Sequence, residues 1–553
     1  MIIKNYNIIT YQINETMKIN KIVNFKKLLC STIMLLVSLS IFSQTTYRNP
    51  VISGFNPDPS VCRVGDDYYL VTSSFGFFPG VPVYHSKDLI NWQQIGYCLT
   101  RKSQLPMDNC RHFSGHGIYA PTIRYNKGIF YMATTNVTDG GNFYVTTTNP
   151  AGEWSEPIWV KQGGIDPDLF FDDNNSIYLA STDVVEGKAG IALSEINIKT
   201  GKLISPIKHI WGGTGGRYPE APHIYKIIGW YYLMIAEGGT EYGHMETIAR
   251  SKNIWGPYES NPENPILTHR GFSGQNQQIQ GTGHADMIEA HDGSWWLVYL
   301  AFRKAGGDYH QLGRETFLTP FTWNTNGWPV VSLGDTVGMI VKTKTLPLFP
   351  TKDIPVCDDF TEKKLGLQWN FLRNPDGATW SLNEKAGALQ LNGIASTISE
   401  SVATAFIGRR QQHFNFTATT RMIFNPAKKG EEAGITVLSN EGHHYDLFIS
   451  GDTSKRLLNL RLKIGSSKNI SNKIELPEGE IILRITGTAQ WYMFSYKTDS
   501  SPEFIEIGKM ESRYLSSEVA GGFTGVYLGM YSTGNGQKCS APAFFDWFDY
   551  QYD

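Results

Sequence analysis

The chain repeats one short pattern five times, and this repeat constrains the fold more than any other feature. Each copy begins with a small or acidic residue and continues as a short apolar strand, a turn and an aromatic-rich strand. The copies span residues 56–74, 120–136, 165–182, 220–239 and 284–302. Irregular intervals of roughly 45 to 65 residues suit four-stranded blades joined by variable loops. The repeats therefore predict a five-bladed β-propeller.

The local sequence of the copies supports strands rather than helices. The turns contain residues that tolerate a positive φ, such as Asn126-Lys127-Gly128 and Asp292-Gly293. Strong strand formers follow each turn, for example Tyr68-Tyr69-Leu70 and Trp295-Trp296-Leu297. No long apolar stripe of helical period lies between the copies, which argues against crossover helices and a parallel sheet. The fold class is therefore all-β.

A second domain is predicted after a proline-rich stretch at 342–356. The blade pattern stops there, and simple alternation of apolar and polar residues begins. Half-buried strands are expected at 414–424, 480–488, 491–498 and 544–552. Such strands indicate a β-sandwich of the jelly-roll kind. The predicted boundaries are 46–345 for the propeller and 354–553 for the sandwich.

The N-terminal segment 1–43 has the layout of a secretory signal peptide. Lysines, among them Lys26 and Lys27, precede an apolar run at 28–42 that is too short to span a bilayer. We therefore expect a secreted or periplasmic protein without a membrane span.

Charge and cysteine content exclude other classes. With 49 basic and 51 acidic residues the net charge is −2, which argues against nucleic acid as a partner. The cysteines beyond the leader are odd in number and sparse, so they form no disulfide framework. Whether Cys98 and Cys110 pair stays open at this point, as does the oligomeric state. No spacing resembles a zinc site.

Three of the copies place a carboxylate at the start of the innermost strand. Asp58 and Asp166 each precede a proline, and Glu220 stands one position earlier in its copy. A propeller gathers these strand starts at its axis, so the three would share one pocket. Glycosidic bond hydrolysis needs an acid for the leaving oxygen and a base for water, and a third carboxylate raises the acid's pKa by repulsion. For any one aspartate alone, a turn or cap is the alternative.

Two further side chains are candidates for the same pocket. His284 begins the fifth copy, in register with Asp58 and Asp166, either as a structural histidine or as a ligand for an axial water or cation. Arg314 could clamp a sugar hydroxyl, hold a catalytic carboxylate or form an ordinary salt bridge. Asp168, two residues after Asp166 in the same predicted strand, is a minor alternative to Asp166.

Several longer strings carry a resemblance to a known family. They are GFNPDPS, SSFGFFPGVPVYHSKDLINW, GIYAPTIRY, GGIDPDLFFDD, RYPEAPHIY, AEGGT, GHADMIE and LGRET. The chain resembles glycoside hydrolase family 43, in the branch of β-xylosidases and α-L-arabinofuranosidases with a C-terminal β-sandwich. The resemblance runs from about residue 48 to the C-terminus. It implies a five-bladed propeller and hydrolysis with inversion of the anomeric carbon.

The resemblance also implies roles for the carboxylates. Asp58 matches the general base, Asp166 the aspartate that modulates the acid's pKa, and Glu220 the general acid. Arg314 and His284 match positions in the substrate pocket.

Aromatic residues are expected to complete that pocket. The GGFTG string resembles the one by which the second domain lends an aromatic, here Phe523, to the pocket rim; the alternative is that Phe523 belongs to the sandwich core. Phe75 and Tyr119 would supply apolar walls from the propeller. Related xylosidases often have tryptophan where this chain has Tyr119, which leaves the choice between xylose and arabinofuranose open.

The predicted function is exo-acting, inverting hydrolysis that releases terminal β-D-xylose, α-L-arabinofuranose or both from oligosaccharides of plant hemicellulose. An endo-arabinanase would need an open groove, and a carbohydrate-binding propeller without catalysis would have no use for the acidic trio. This chemistry requires no metal or other cofactor. Whether a structural Ca²⁺ lies on the propeller axis is left open.

Overall fold

The computed structural model describes residues 17–18, 21, 45–271, 278–331, 336–343, 348–351 and 356–552. Arg48–Val341 and Leu348–Asp553 form one compact unit, and Met1–Tyr47 with Lys342–Pro347 form another. Nearly all of the predicted signal peptide, and residues 344–347 and 352–355 of the proline-rich stretch, lie outside the described residues. In the described part of the chain, no helix has the length and apolar character needed to cross a membrane.

Five antiparallel sheets form the blades of the propeller, which confirms the predicted architecture. Each blade is built from strands that follow one another in sequence, with the innermost strand first. The strands are Ser60–Val64, Asp67–Val71, Gly80–Ser86 and Gln93–Leu99 in blade 1; Thr122–Asn126, Ile129–Asn136, Gly141–Thr147 and Ile158–Trp159 in blade 2; Ile165–Phe171, Ile177–Val185, Lys188–Glu195 and Lys208–Trp211 in blade 3; Glu220–Ile227, Trp230–Glu237, Met245–Ser251 and Glu259–Ser260, with Leu267–Thr268 added, in blade 4; and Ile279–Glu289, Trp295–Arg303, Glu315–Trp323 and Pro329–Val331 in blade 5.

The predicted turns join the first two strands of each blade. In blade 1, for example, Val64 pairs with Asp67 across a two-residue loop. One turn residue departs from the solvated role that its position suggests. Asp172 is buried and accepts hydrogen bonds from Lys226 Nζ (2.6 Å) and Tyr231 OH (2.8 Å), so it ties blade 3 to blade 4.

The ring closes without exchange of strands between blades 1 and 5. The segment before blade 1 instead runs along the third strand of blade 5, where the Val51 N–H donates to the Thr316 carbonyl (2.9 Å). Asn49 Nδ2 donates to the Leu318 carbonyl in the same strand (3.0 Å). These contacts hold the first and last blades together.

Two antiparallel sheets form the C-terminal β-sandwich, as predicted. Its core lies between the sheets and includes Phe416, Leu447, Leu483 and Phe545. One sheet consists of Cys357–Asp358, Trp380–Ser381, Leu389–Leu391, Phe416–Ile423, Ile481–Gly487, Trp491–Thr498, Ser501–Glu511 and Ala543–Tyr552; the other consists of Ala405–Arg410, Glu432–Asn440, His443–Asp452, Lys455–Ile464, Ser467–Leu476 and Tyr527–Thr533.

Short elements complete the fold around these sheets. They are a 3-10 helix at Ser512–Leu515, an α-helix at Ser517–Ala520, and two-stranded pairings of Thr45–Arg48 with Ile340–Thr343 and of Phe77–Phe78 with Phe371–Leu372.

The propeller and the sandwich share a buried aromatic core. Phe77 of the propeller stacks on Tyr527 of the sandwich with ring centroids 3.8 Å apart. Phe55 packs against the same tyrosine, and its carbonyl accepts a hydrogen bond from Arg410 Nε (2.6 Å). Removing the sandwich would expose this core to water, so the two parts are expected to fold as one body.

Candidate active site

The innermost strands present the site residues from an uncommon backbone conformation. Asp58, Asp166, Ala221 and His284 all have φ between 51° and 55°, in the left-handed region that residues other than glycine seldom adopt. In blades 3, 4 and 5 the strand register shifts at this point, as in a β-bulge. Since Ala221 takes the shared position in blade 4, Glu220 enters the pocket one residue earlier, as its sequence register predicted.

Every predicted site residue lines one pocket at the end of the propeller axis, namely Asp58, Phe75, Tyr119, Asp166, Glu220, His284, Arg314 and Phe523. The pocket is also lined by Ala120, Ile165 and Thr240. The structure thus brings the candidates together, while their individual roles in catalysis stay predictions.

Asp58 is buried and held through both carboxylate oxygens. Arg314 Nη1 donates to Oδ1 (2.6 Å), and the Ser73 hydroxyl donates to Oδ2. The same Arg314 nitrogen donates to Thr240 Oγ1 (3.0 Å). Of the roles considered for Arg314, the structure shows contact with the Asp58 carboxylate, the predicted general base. The Asp58 carboxylate is therefore held in a fixed orientation in the pocket.

The surroundings of Glu220 stabilise the protonated form of its carboxyl group. Burial raises the pKa of Glu220, the negative charge of Asp58 raises it further, and Arg314 lowers it, with a resulting pKa of about 7. A carboxyl group that keeps its proton up to neutral pH can act as a general acid.

Asp166 shares this buried charge cluster. Burial raises its pKa well above the usual range, repulsion from Glu220 and Asp58 raises it further, and the Ala221 N–H and Arg314 oppose the rise. Three carboxyl groups therefore face one guanidinium, and they cannot all be ionised together.

His284 lies beside the base in a neutral form. Its Nδ1 is 3.7 Å from Asp58 Oδ1. Burial lowers the pKa of His284 to about 3, although the charge of Asp58 opposes the shift. The imidazole therefore adds no second positive charge, which leaves Arg314 to neutralise Asp58.

An aromatic rim joins the two domains over the pocket. Phe523 is 39% exposed and lies in the loop before the strand Tyr527–Thr533, where its ring stacks on Phe75 with centroids 5.8 Å apart. It meets the edge of Tyr119 at 6.2 Å. The Phe523 N–H donates to the Ser114 carbonyl of the propeller (2.8 Å). Phe523 is thus not a core residue of the sandwich, and the rim position agrees with the sequence expectation.

A second polar layer, one step further along the strands, fills the axis below the pocket. Arg124 of blade 2 donates to Asp286 Oδ2 of blade 5 (2.9 Å) and lies 2.9 Å from Asp168 Oδ1 of blade 3. It also contacts His223 Nδ1 of blade 4 (3.0 Å). The Ser60 hydroxyl of blade 1 donates to Asp286 Oδ2 (2.7 Å). All five blades therefore meet at one partly buried guanidinium.

This axial layer explains Asp168, which lies in it rather than beside Asp166 in the pocket. Burial opposes the ionisation of Asp286, but Arg124 and its other partners hold the pKa of Asp286 below the usual range. Sequence reasoning missed Arg124, Ser73 and Thr240. A signal was available for the axial layer only: Ser60, Asp168 and Asp286 each follow a pocket position by two residues, which places polar side chains on the same face of three innermost strands.

Two open points concern cysteines and metals. Cys98 and Cys110 are both buried and free, so they do not form a disulfide. Within the described ranges, no group of three or more histidine, cysteine, aspartate or glutamate side chains is arranged to hold a metal ion. An axial Ca²⁺ is not tested by this observation.

The fold and the site together define a class of enzyme. Three carboxyl groups, one of them with a pKa raised to about 7, share a pocket at the axis of a five-bladed propeller, an arrangement suited to the acid and base steps of a glycoside hydrolase.

Comparison with known proteins identifies the family. The family model of glycosyl hydrolases family 43 matches residues 47–329, and that of the β-xylosidase C-terminal concanavalin A-like domain matches residues 357–551. The chain belongs to glycosyl hydrolase family 43 and is a glycosidase.

Characterised relatives and solved structures cover almost the whole chain. The non-reducing end α-L-arabinofuranosidase BoGH43B of Bacteroides ovatus is 44% identical over 94% of this chain and 98% of the relative. The β-xylosidase of Bacillus subtilis is 35% identical over 91% and 99%. A structure of the Bacteroides ovatus xyloglucan PUL GH43B superposes with a TM-score of 0.88 at 44% identity, covering 92% of this chain and all of that chain.

The raised pKa of Glu220 predicts how activity depends on pH. Substitution of Asp166 tests whether the charge of Asp166 contributes to that raised pKa. Since the acid must be protonated, kcat/KM should fall above about pH 7. Repulsion between Asp166 and Glu220 is mutual, so Asp166→Asn should lower the pKa of Glu220 and move the alkaline limb to lower pH. Asp173→Asn, in an exposed turn of the same blade, is the matched control. An unmoved limb in a folded Asp166→Asn enzyme would leave Asp166 a substrate-positioning group.

The rim position of Phe523 predicts a loss of activity without a loss of stability. Phe523→Ala should lower kcat/KM roughly 10- to 100-fold, because the pocket loses the wall that orients the terminal sugar. The free energy of unfolding should change by less than about 1 kcal/mol, since the side chain is partly exposed. Steady-state kinetics and thermal melting measure the two effects. A variant that melts early yet keeps its kcat/KM would assign Phe523 to packing alone.

Proposed function

We propose that this glycosidase is exo-acting and inverting, and that it releases a terminal pentose, β-D-xylose or α-L-arabinofuranose, from hemicellulose oligosaccharides. The observation that carries the proposal is the pairing of Asp58, held by Arg314, with a Glu220 whose pKa is about 7. The names of the relatives, an α-L-arabinofuranosidase and a β-xylosidase, support both pentoses.

Asp58 serves as the base in this proposal. Its carboxylate takes a proton from a water molecule, and the water oxygen attacks the anomeric carbon from the face opposite the leaving group. Arg314 and Ser73 fix both oxygens of the carboxylate, so the base is oriented before the substrate arrives. One direct displacement inverts the anomeric configuration.

Glu220 serves as the acid on the other side of the sugar. Its proton passes to the glycosidic oxygen as the bond between that oxygen and the anomeric carbon breaks. Asp58 ends the cycle protonated and Glu220 ionised, and exchange with solvent restores both. Asp166 keeps Glu220 protonated by repulsion in this scheme.

The exo mode follows from the closure of the pocket. Phe523 of the sandwich stacks over Phe75 and Tyr119 and so closes the side of the pocket at blades 1 and 2. A substrate chain that extended out of the site on both sides, as an endo-acting enzyme requires, would collide with Phe523. An end of a chain can enter from the remaining side, so a terminal sugar is the unit released.

The test combines substrate choice with stereochemistry. The p-nitrophenyl β-D-xyloside and α-L-arabinofuranoside are assayed side by side, and proton NMR records the anomer that forms first. Release of a single pentose with inverted configuration is expected. A xylo-oligosaccharide assayed alongside them should also lose one pentose at a time; products longer than one sugar would indicate an endo-acting enzyme, and the retained anomer would indicate a covalent intermediate.

We propose in addition that residues 1–43 direct export and are removed, so that the mature enzyme is secreted or periplasmic. The lysines followed by the apolar run at 28–42 support this. N-terminal sequencing of the mature protein should find a start just after the leader.

The proposed mechanism uses no cofactor, and activity should therefore survive treatment with a chelator. A fall in activity would point to a metal, such as an axial Ca²⁺.

A further inference from the structure

Tyr218 combines two features that are uncommon for an aromatic residue. Its side chain is 63% exposed, although large aromatic side chains are usually buried to a much greater extent. Its backbone has φ of 52°, in the left-handed region that a bulky residue rarely occupies. The chain therefore holds an aromatic ring in solvent at a position where glycine or asparagine would fit the backbone better.

Tyr218 lies next to residues of the active-site pocket. Tyr218 stands two residues before Glu220, and its ring lies against Gly239, where an added Cβ would come within 3.3 Å of Tyr218 Cδ2. The next residue, Thr240, lines the pocket and accepts a hydrogen bond from Arg314. Tyr218 is therefore tied to the pocket wall through both Glu220 and Thr240.

The residue before Tyr218 fixes the ring in place. The Arg217 guanidinium lies 5.5 Å from the centre of the Tyr218 ring, and Arg217 Nη2 donates to the Gly238 carbonyl (3.2 Å). The Gly238 N–H donates in return to the Arg217 carbonyl (2.6 Å). The ring is thus held by its neighbours although most of its surface is open.

The geometry of the reaction indicates which part of the substrate the Tyr218 ring would contact. The leaving group departs on the side of the general acid, because Glu220 protonates the oxygen that leaves. Blade 4, which carries Tyr218 and Glu220, lies across a five-bladed ring from blades 1 and 2, where Phe523 closes the pocket. The exposed ring of Tyr218 therefore stands on the leaving-group side of the pocket.

We propose that Tyr218 is a specificity-determining residue, an aromatic platform on which the sugar next to the scissile bond stacks. This inference rests on the proposed function and adds to it the side chain that binds the sugar of the leaving group. The apolar C–H face of a pyranose ring suits an exposed aromatic face, and the neighbouring Arg217 can donate to sugar hydroxyls. The platform raises the rate for oligosaccharides, whose leaving group is a sugar, and does nothing for a leaving group that has no ring.

The test removes the ring while it keeps the backbone. Asparagine tolerates the left-handed conformation, so Tyr218→Asn deletes the platform with little effect on the loop. The substrates are the methyl β-D-xyloside and α-L-arabinofuranoside, with a one-carbon leaving group, and a xylo-oligosaccharide and an arabinofuranosylated one. We expect kcat/KM to fall roughly tenfold on the oligosaccharides, the size of one aromatic contact, and less than about twofold on the methyl glycosides.

Two variants serve as controls. Tyr218→Phe keeps the ring and should keep the wild-type ratio of the two substrate kinds. Tyr125→Asn removes another exposed tyrosine, near the far end of an innermost strand, and should change neither rate. Equal losses on both kinds of substrate, or no loss on oligosaccharides, would refute the platform role of Tyr218 but not the proposed function. A wild-type enzyme that cleaves neither pentoside would refute the proposed function and the platform with it.

Discussion

Asp58→Asn should lower kcat by about 10²- to 10⁴-fold on every glycoside, whatever its leaving group. The attacking water needs a base in each reaction, and an amide cannot take its proton. Asparagine keeps the size of the side chain, so Arg314 and Ser73 retain a neighbour for their hydrogen bonds. The loss should therefore be in the chemical step, and initial rates on one activated and one unactivated glycoside measure it.

The controls separate chemistry from folding. Asp66→Asn lies in an exposed turn of the same blade and should leave kcat unchanged. Arg314 loses an ionic partner in a buried place, so the melting temperature of Asp58→Asn has to be measured beside its activity. A folded Asp58→Asn enzyme with near wild-type kcat would remove Asp58 from the role of base.

Glu220→Gln should affect substrates according to their leaving groups. A sugar or alkoxide leaves poorly without a proton, so kcat/KM on oligosaccharides should fall about 10²- to 10⁴-fold. A dinitrophenyl oxide leaves as an anion, and its glycosides should lose much less. The alkaline limb near pH 7 should also disappear for these activated substrates, because the group with the raised pKa is gone.

A plot of log kcat/KM against the pKa of the leaving group measures this effect. Its slope should be steeper for Glu220→Gln than for the wild type and for Glu289→Gln, an exposed glutamate at the far end of the innermost strand of blade 5. Equal losses on all leaving groups would mean that another residue donates the proton.

Local sequence was sufficient for the strands and for the three acids. The turns and aromatic strands of each copy act over a few residues, so the blades could be predicted without knowledge of their neighbours. The sandwich was predicted less fully. The four strands that were expected, now Phe416–Ile423, Ile481–Gly487, Trp491–Thr498 and Ala543–Tyr552, all belong to one sheet, while the other sheet was missed. Three of its strands, Ala405–Arg410, Glu432–Asn440 and Tyr527–Thr533, are buried along their whole length, so they lack the alternation that reveals a half-buried strand.

The sequence by itself determined the repeat, the all-β class and the carboxylates that start the innermost strands, because these depend on turns and on alternation along a strand. The tertiary structure decided which groups meet. Arg314 and Asp58 are 256 residues apart in the chain, and their ion pair exists only when the ring closes. The axial position of Arg124 and the stacking of Phe523 on Phe75 likewise require all five blades and the sandwich to be in place. Burial, which has the largest effect on the pKa of Glu220, is a property of the assembled pocket and not of any segment.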